Sequence, residues 1–203
     1  FEDKAVKTAL FKNLDGVCKD ATIFATNTSS FFVHEFANQT SRPDRFIGLH
    51  YFFHPAKNKL LEIIPHDNTS QQTIDTAKTF SARHGKIAIV VKDSPGFAVN
   101  RFFVPSSNEA ARMLEEGMGN IATIEEASKR AFGIGMGSFE ILNITGIPLA
   151  VHASQSLGSE LGLFYDTPDM MRTQMETGKD WDLADGPVEE DKIDSIVDRF
   201  YSV

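Results

Sequence analysis

The chain has 203 residues, is 41% apolar, and carries a net charge of −8 with a pI near 5.2. That length and apolar content suit one large or two small globular domains, and the acidic balance with no basic stripe argues against a nucleic-acid binder. A single cysteine, Cys18, rules out a disulfide within these residues and fits a reducing compartment, with the cytoplasm as the expected location. No apolar run reaches membrane-spanning length.

The chain opens at Phe1 directly on a helical pattern, with Val6, Leu10, Leu14 and Val17 on one face, so a helix is expected from Phe1 to about Val17. It stops at Val203 in an amphipathic run without a terminating signal. Both ends read as cut, and the expectation is a fragment of a longer protein. "ATIFATN" is a short strand running into "NTSS", a polar turn or helix cap. "RFIGLHYFF" and "KLLEIIP" are two strands joined by a loop containing Pro55. "TSQQTIDTAKTFSARHG" is a capped helix closing on Gly85, and "KIAIVVKD" is expected to be a buried strand broken by "SPG". This alternation predicts an α/β layer with a mainly parallel sheet.

Beyond Phe97 no strand-like alternation returns. "VNRFFVPSSNEAARMLEEG" predicts a helix with Pro105 as a kink or early-turn feature. "TIEEASKRAFG" predicts a helix capped by Thr123, acidic in its first turn and ended by Gly133. "GSFEILNITGIPLAVHASQSLGSELG" keeps helical period, and "KDWDLADGPVEED" is expected to be a surface loop. The expected fold class is α/β followed by all-α, with domains 1–96 and 97–203.

The chemistry concentrates in "GLHYFFHPAKNKLLEII", where His50 and Glu62 stand twelve residues apart in two apolar runs. A buried imidazole and a buried carboxylate each need a partner. A carboxylate on one ring nitrogen fixes the tautomer and leaves the other nitrogen able to take a proton, the arrangement of a general base. A structural pair has the same spacing, and the residues alone leave both readings open. His54, four residues after His50, would complete a two-histidine, one-carboxylate metal set with Glu62, but Pro55 interrupts the strand and no further ligand cluster exists. Asn27 and Ser29, beyond a strand's carboxyl end, are placed either to hold a ligand or to cap a helix. Asn100 is likewise a cap or a polar group for an interdomain cleft. "GIGMGS" follows a helix instead of a strand, so it is not a dinucleotide fingerprint; neither a correctly placed G-x-G-x-x-G nor a G-x-S-x-G occurs.

Taken together, "ATNTSSF", "RPDRFIGLHYFFHP", "KLLEII" and "VKDSPGFAVNRFFVP", followed by "EA" and "LEEG", resemble the L-3-hydroxyacyl-CoA dehydrogenase family over about residues 1–146. The resemblance implies the C-terminal part of a Rossmann-like NAD-binding domain and a helical C-terminal domain that dimerises. It implies NAD as cofactor, an acyl-CoA substrate, a homodimer, and neither nucleic acid nor a membrane span. His50 matches the family's catalytic base and Glu62 its carboxylate partner. Ser29 and Asn100 match residues that hold the substrate oxygen, and Glu2, Lys7, Asn27 and Ser29 match cofactor-contacting positions.

Three departures stand out. The usual His-Phe-Phe-Asn-Pro is His50-Tyr51-Phe52-Phe53-His54-Pro55, which puts His54 in place of an asparagine near the nicotinamide. The usual Pro-Met-Gly-Pro-Phe is Gly135-Met136-Gly137-Ser138-Phe139, and Asn143 replaces a nearby aspartate. The glycine-rich loop and first strands of the dinucleotide domain are missing from these residues, so the chain alone is expected to bind NAD poorly and to be inactive. A related free hydroxy-acid dehydrogenase and a non-catalytic dimerisation module are the alternative readings.

Overall fold

A computed structural model describes residues 2–202; Phe1 and Val203, the outer ends of the two expected terminal helices, lie outside the described residues. The chain divides into two compact units, Phe1–Ala98 and Val99–Val203.

The first unit begins with α1 (Lys4–Val17), whose N-terminus is held by the Asp3 carboxylate accepting from the Val6 N–H at 2.9 Å. Four strands follow: β1 (Phe24–Thr26), β2 (Phe46–Tyr51), β3 (Leu60–Ile64) and β4 (Ile87–Val90), side by side in chain order. Pairings β1–β2 and β3–β4 are parallel, whereas β2–β3 is antiparallel. Between β1 and β2 lies the short α2 (Val33–Ala37), and between β3 and β4 lies α3 (Gln71–Arg83), capped by Ser70 as its sequence implies. β2 and β3 are buried almost throughout, and a phenylalanine cluster fixes α1 against the sheet, with Phe11 edge-on to Phe46 at 4.7 Å.

β4 departs from expectation. It is not a buried strand: Ile87 and Val90 are exposed, and among the described residues β4 pairs only with β3. An unbroken apolar run signals β propensity, but coverage is set by what packs on the sheet, and β4 lies at its edge. "NTSS" forms a polar turn, not a helix cap. Thr28 Oγ1 accepts from the Phe31 N–H at 3.0 Å, and α2 starts later, with the Asp93 carboxylate accepting from the Val33 and His34 N–H groups at 2.8 and 2.9 Å.

The second unit is all helical: α4 (Asn100–Glu115), α5 (Ile121–Phe132), α6 (Ser138–Thr145), α7 (Ile147–Leu161), α8 (Asp169–Thr177) and α9 (Ile193–Tyr201). Met113, Ile124, Phe139, Leu142, Met171 and Ile196 form the centre of its core. Pro105 sits inside α4. Asn100 is the first residue of α4 and Val99 occupies the cap position, so Asn100 is not the cap. Nor is Thr123 the cap of α5: Asn120 is, accepting from the Thr123 N–H at 2.8 Å, and the acidic pair Glu125–Glu126 therefore falls in the second turn. Gly133 ends α5 with φ +63°, in the left-handed region its sequence context implies.

Two features of this unit come from side chains that reach across. The loop after α8 lies at the surface as expected but is pinned there: Trp181 is buried against Phe139, and Asn143 exchanges two hydrogen bonds with the Trp181 backbone at 2.8 and 2.9 Å. The glycine-rich "GIGMGS" connects α5 to α6, where the buried Glu125 carboxylate accepts from the Gly137, Phe139 and Glu140 N–H groups. The anion at this helix start is thus the protein's own.

A Cβ on Gly137 would lie 2.5 Å from the Glu125 carbonyl oxygen, so Gly137→Ala should lower the unfolding free energy by about 1–3 kcal/mol, measured by chemical denaturation. His66 gives a pH test. It is buried, its Nε2 donates to the Pro43 carbonyl at 3.0 Å and its Nδ1 accepts from the Asn68 N–H at 3.4 Å, a neutral ring with both nitrogens used. Burial, aided by the His34 charge, holds its pKa below the ordinary 6.5 despite the Pro43 contact. The unfolded chain then takes up its proton first, so stability is full above about pH 6.5 and falls as pH drops below it. Denaturation midpoints at pH 7 and pH 5.5 should show this loss, and His66→Gln should reduce it.

Candidate active site

Antiparallel register places His50 of β2 directly opposite Glu62 of β3. Side chains opposite one another in a ladder share a face, and His50 Nδ1 meets Glu62 Oε2 at 2.7 Å. Both are buried, with Glu62 0% and His50 6% exposed. With a carboxylate on Nδ1, the ring carries its proton there and presents Nε2 as the proton-accepting nitrogen. Glu62 Oε1 accepts from the Ala98 N–H at 2.9 Å. The rings of Phe52 and Phe97 lie 4.5 and 5.6 Å from the imidazole.

A second cluster forms at the carboxyl end of β1. The Glu2 carboxylate pairs with Lys7 at 2.8 Å and accepts from the Thr28 hydroxyl at 2.5 Å, the Ser29 N–H at 3.0 Å and the Ser30 hydroxyl at 3.2 Å. Burial pushes the Glu2 pKa up, but Lys7, Thr28 and the Ser29 N–H together outweigh it and hold the carboxyl below its ordinary 4.5. Lys7 also donates to the Asn27 carbonyl at 3.3 Å, and Asn27 Oδ1 accepts from the Tyr51 N–H at 3.0 Å. Tyr51 follows His50, so both clusters lie at one end of the sheet, where open α/β sheets bind ligands.

The structure therefore brings His50 to Glu62, and Glu2, Lys7, Asn27 and Ser29 to one another. His54 stands in the turn after β2, where its Nδ1 accepts from the Ala56 N–H at 3.3 Å. Asn100 belongs to the second unit. Among the described residues no group of three or more His, Cys, Asp or Glu is arranged to hold a metal ion, and no helix is long and apolar enough to cross a membrane. Sequence reading missed Thr28, Phe97 and the Ala98 N–H. The Pro95–Gly96 turn marked the neighbourhood of Phe97 and Ala98 but not their targets.

A Rossmann-like sheet carrying a buried histidine–carboxylate pair toward the carboxyl end of β2, followed by a helical domain, defines the architectural class. The family model "3-hydroxyacyl-CoA dehydrogenase, NAD binding domain" matches residues 1–94, and "3-hydroxyacyl-CoA dehydrogenase, C-terminal domain" matches residues 96–180. The chain belongs to the 3-hydroxyacyl-CoA dehydrogenase family, whose N-terminal domain takes NAD. It is 39% identical over 178 residues to the mitochondrial hydroxyacyl-coenzyme A dehydrogenase of Sus scrofa, covering 86% of this chain and 57% of that protein. To the fatty acid oxidation complex subunit alpha of Vibrio campbellii it is 38% identical over 181 residues, covering 88% of this chain and 25% of that one. The (S)-3-hydroxybutyryl-CoA dehydrogenase structure from Ralstonia eutropha superposes with a TM-score of 0.83 at 33% identity, covering 88% of this chain and 63% of that chain. The chain thus spans about a quarter of the fatty acid oxidation subunit and somewhat over half of the shorter relatives.

Glu62→Ala leaves the buried His50 Nδ1–H without its acceptor and removes the Ala98 N–H contact. It should cost about 3 kcal/mol of stability, read from urea denaturation followed by circular dichroism.

Proposed function

We propose that the chain carries the proton-transfer machinery of an NAD-dependent L-3-hydroxyacyl-CoA dehydrogenase, interconverting an L-3-hydroxyacyl-CoA and its 3-ketoacyl-CoA. One observation carries this reading: the buried 2.7 Å contact between His50 and Glu62, on facing strands of a family member's NAD-binding domain. His50 Nε2 removes the proton of the 3-hydroxyl. Glu62, fixed on Nδ1, holds the tautomer and stabilises the imidazolium that forms, as a triad carboxylate does. Ser29 and Asn100 orient the substrate oxygen. In the reverse direction the imidazolium returns the proton to the ketone oxygen.

NAD, when bound, would supply the acceptor for the hydride of C3. The residues at the end of β1 fit its polar nicotinamide–ribose end: Glu2 supplies a carboxylate for ribose hydroxyls, and Lys7 an ammonium for a carbonyl oxygen. Asn27, Ser29 and His54 complete that cofactor-binding set. The helical unit is assigned to homodimer formation, with the acyl-CoA as the small-molecule partner.

The test is acetoacetyl-CoA reduction, followed by NADH absorbance, on the protein at the length its gene encodes and on this 203-residue chain alone. His50→Gln should slow the active form by about a hundredfold or more, the scale of general acid–base catalysis. A variant that keeps pace makes His50 scaffolding. A protein that reduces free 3-keto acids but no acyl-CoA moves the assignment to a hydroxy-acid dehydrogenase.

A further inference from the structure

We propose that the segment Asp93–Ala98 is a clamp that sets the geometry of the His50–Glu62 pair, with Phe97 as its positioning residue. The inference rests on the general-base reading of that pair and adds to it the element that holds the pair in place.

Asp93 is the anchor. Its carboxylate accepts from the Val33 and His34 N–H groups and meets the His34 ring nitrogen Nδ1 at 2.8 Å, which fixes the start of the segment to the first turn of α2. The chain then reverses in a turn closed by the Phe97 N–H donating to the Ser94 carbonyl at 2.9 Å. Proline and glycine at its two central positions, with Gly96 at φ +70°, are the residues a type II turn calls for. Phe97 continues in the left-handed region at φ +49°, where among the described residues it is the one non-glycine with positive φ. A bulky side chain is held in such a conformation only when its surroundings over-determine it, and such residues cluster at functional sites.

The Phe97 ring is held from two sides, by the buried cluster it shares with Val33, Phe36, Phe46 and Ile64 and by the pair it faces. It is 4% exposed and packs on the His50 imidazole at 5.6 Å between centroids. The next residue, Ala98, gives its N–H to Glu62 Oε1. One short segment therefore touches both members of the pair, the imidazole through an apolar face and the carboxylate through a backbone donor. With Oε1 held by Ala98, Oε2 is aimed at His50 Nδ1. With Phe52 and Phe97 against the imidazole, ring rotation is restricted. A regular backbone at Phe97 would redirect both its ring and the Ala98 N–H.

The experiment compares Phe97→Gly, Phe97→Leu and Asp93→Asn with the parent, in the protein at its gene-encoded length. Two readouts are followed: steady-state acetoacetyl-CoA reduction across pH, and the downfield NMR resonance of the His50 Nδ1 proton, assigned by its disappearance in His50→Gln. Phe97→Gly tolerates the positive φ but removes the ring. It should lower kcat by roughly tenfold to a hundredfold, as displaced catalytic groups do, with KM for the acyl-CoA within about twofold, a moved pH–rate profile and a shifted or broadened resonance. Phe97→Leu keeps an apolar face on the imidazole and should return kcat to within about threefold of the parent. Asp93→Asn disturbs the anchor without touching the pair and should shift the resonance in the same sense. The proposal is overturned if Phe97→Gly leaves kcat, pH profile and resonance at parental values, or, should that variant not fold, if Asp93→Asn leaves the resonance where it was. The resonance reports the clamp whether or not the pair is catalytic. A clamp response combined with a fully active His50→Gln would keep this inference about geometry and defeat the general-base reading alone.

Discussion

A carboxylate with no solvent exposure constrains everything around it. Glu62 sits in the middle of β3 with apolar neighbours on both sides in sequence, and burying an ionisable group there without partners would be strongly unfavourable. Two of its partners are fixed by backbone geometry. The β2–β3 ladder supplies His50, and the turn after β4 supplies the Ala98 N–H. Register is the sensitive part. A slip of one residue between β2 and β3 would send His50 to the opposite face of the sheet and leave Glu62 against Leu49 or Tyr51. The single antiparallel pairing in this sheet is therefore also the pairing on which the site depends.

Two other carboxylates show what distinguishes this one. Glu125 and Asp93 are also well buried, and each is satisfied mainly by backbone N–H groups at the start of a helix, α6 and α2 respectively. Asp93 has an imidazole partner as well, so the first unit contains a second histidine–carboxylate pair. The His34 side chain, however, is close to half exposed, and Asp93 spends both oxygens on the α2 backbone. That pair is an anchor with a histidine attached. In the His50–Glu62 pair both members are withdrawn from water, the carboxylate faces the ring across a strand ladder, and aromatic rings flank the imidazole, which is the environment a positioned base requires.

Much of this was legible in the sequence because it is written in periodicity and in side-chain type. Continuous apolar runs marked β2 and β3, Ser70 marked the start of α3, and Gly133 marked the end of α5. His50 and Glu62 stood out as ionisable residues inside apolar runs. The rest was hidden for physical reasons. The Ala98 donor is a backbone group that any residue except proline would supply, so no residue type announces it. Trp181 lies in a stretch whose composition is that of a solvated loop, and only Asn143 and Phe139, distant in sequence, draw it into the core. The shift of the α5 cap from Thr123 to Asn120 has the same origin. Both are competent caps, and the choice is made by the incoming chain: Pro187 accepts from the Asn120 side chain and the Glu189 N–H donates to Thr123.

Asn27 shows how far scaffold and site overlap at the end of this sheet. The β1–β2 ladder ends with Thr26 opposite Gly48, two residues short of His50, while β3 accompanies β2 as far as Tyr51. On the β1 side the last part of β2 would have no ladder to hold it. The Asn27 side chain takes over there, accepting from the Tyr51 N–H, and Lys7 in turn holds the Asn27 carbonyl while pairing with Glu2. The polar cluster at the end of β1 thus extends the sheet by side chain where the backbone stops. It keeps the strand carrying His50 held from both sides, and it sets the Glu2–Lys7 pair beside the same strand end. A residue here can act on the chemistry by touching a ligand or by holding β2 straight, and Asn27 is placed to do the second whatever it does for the first.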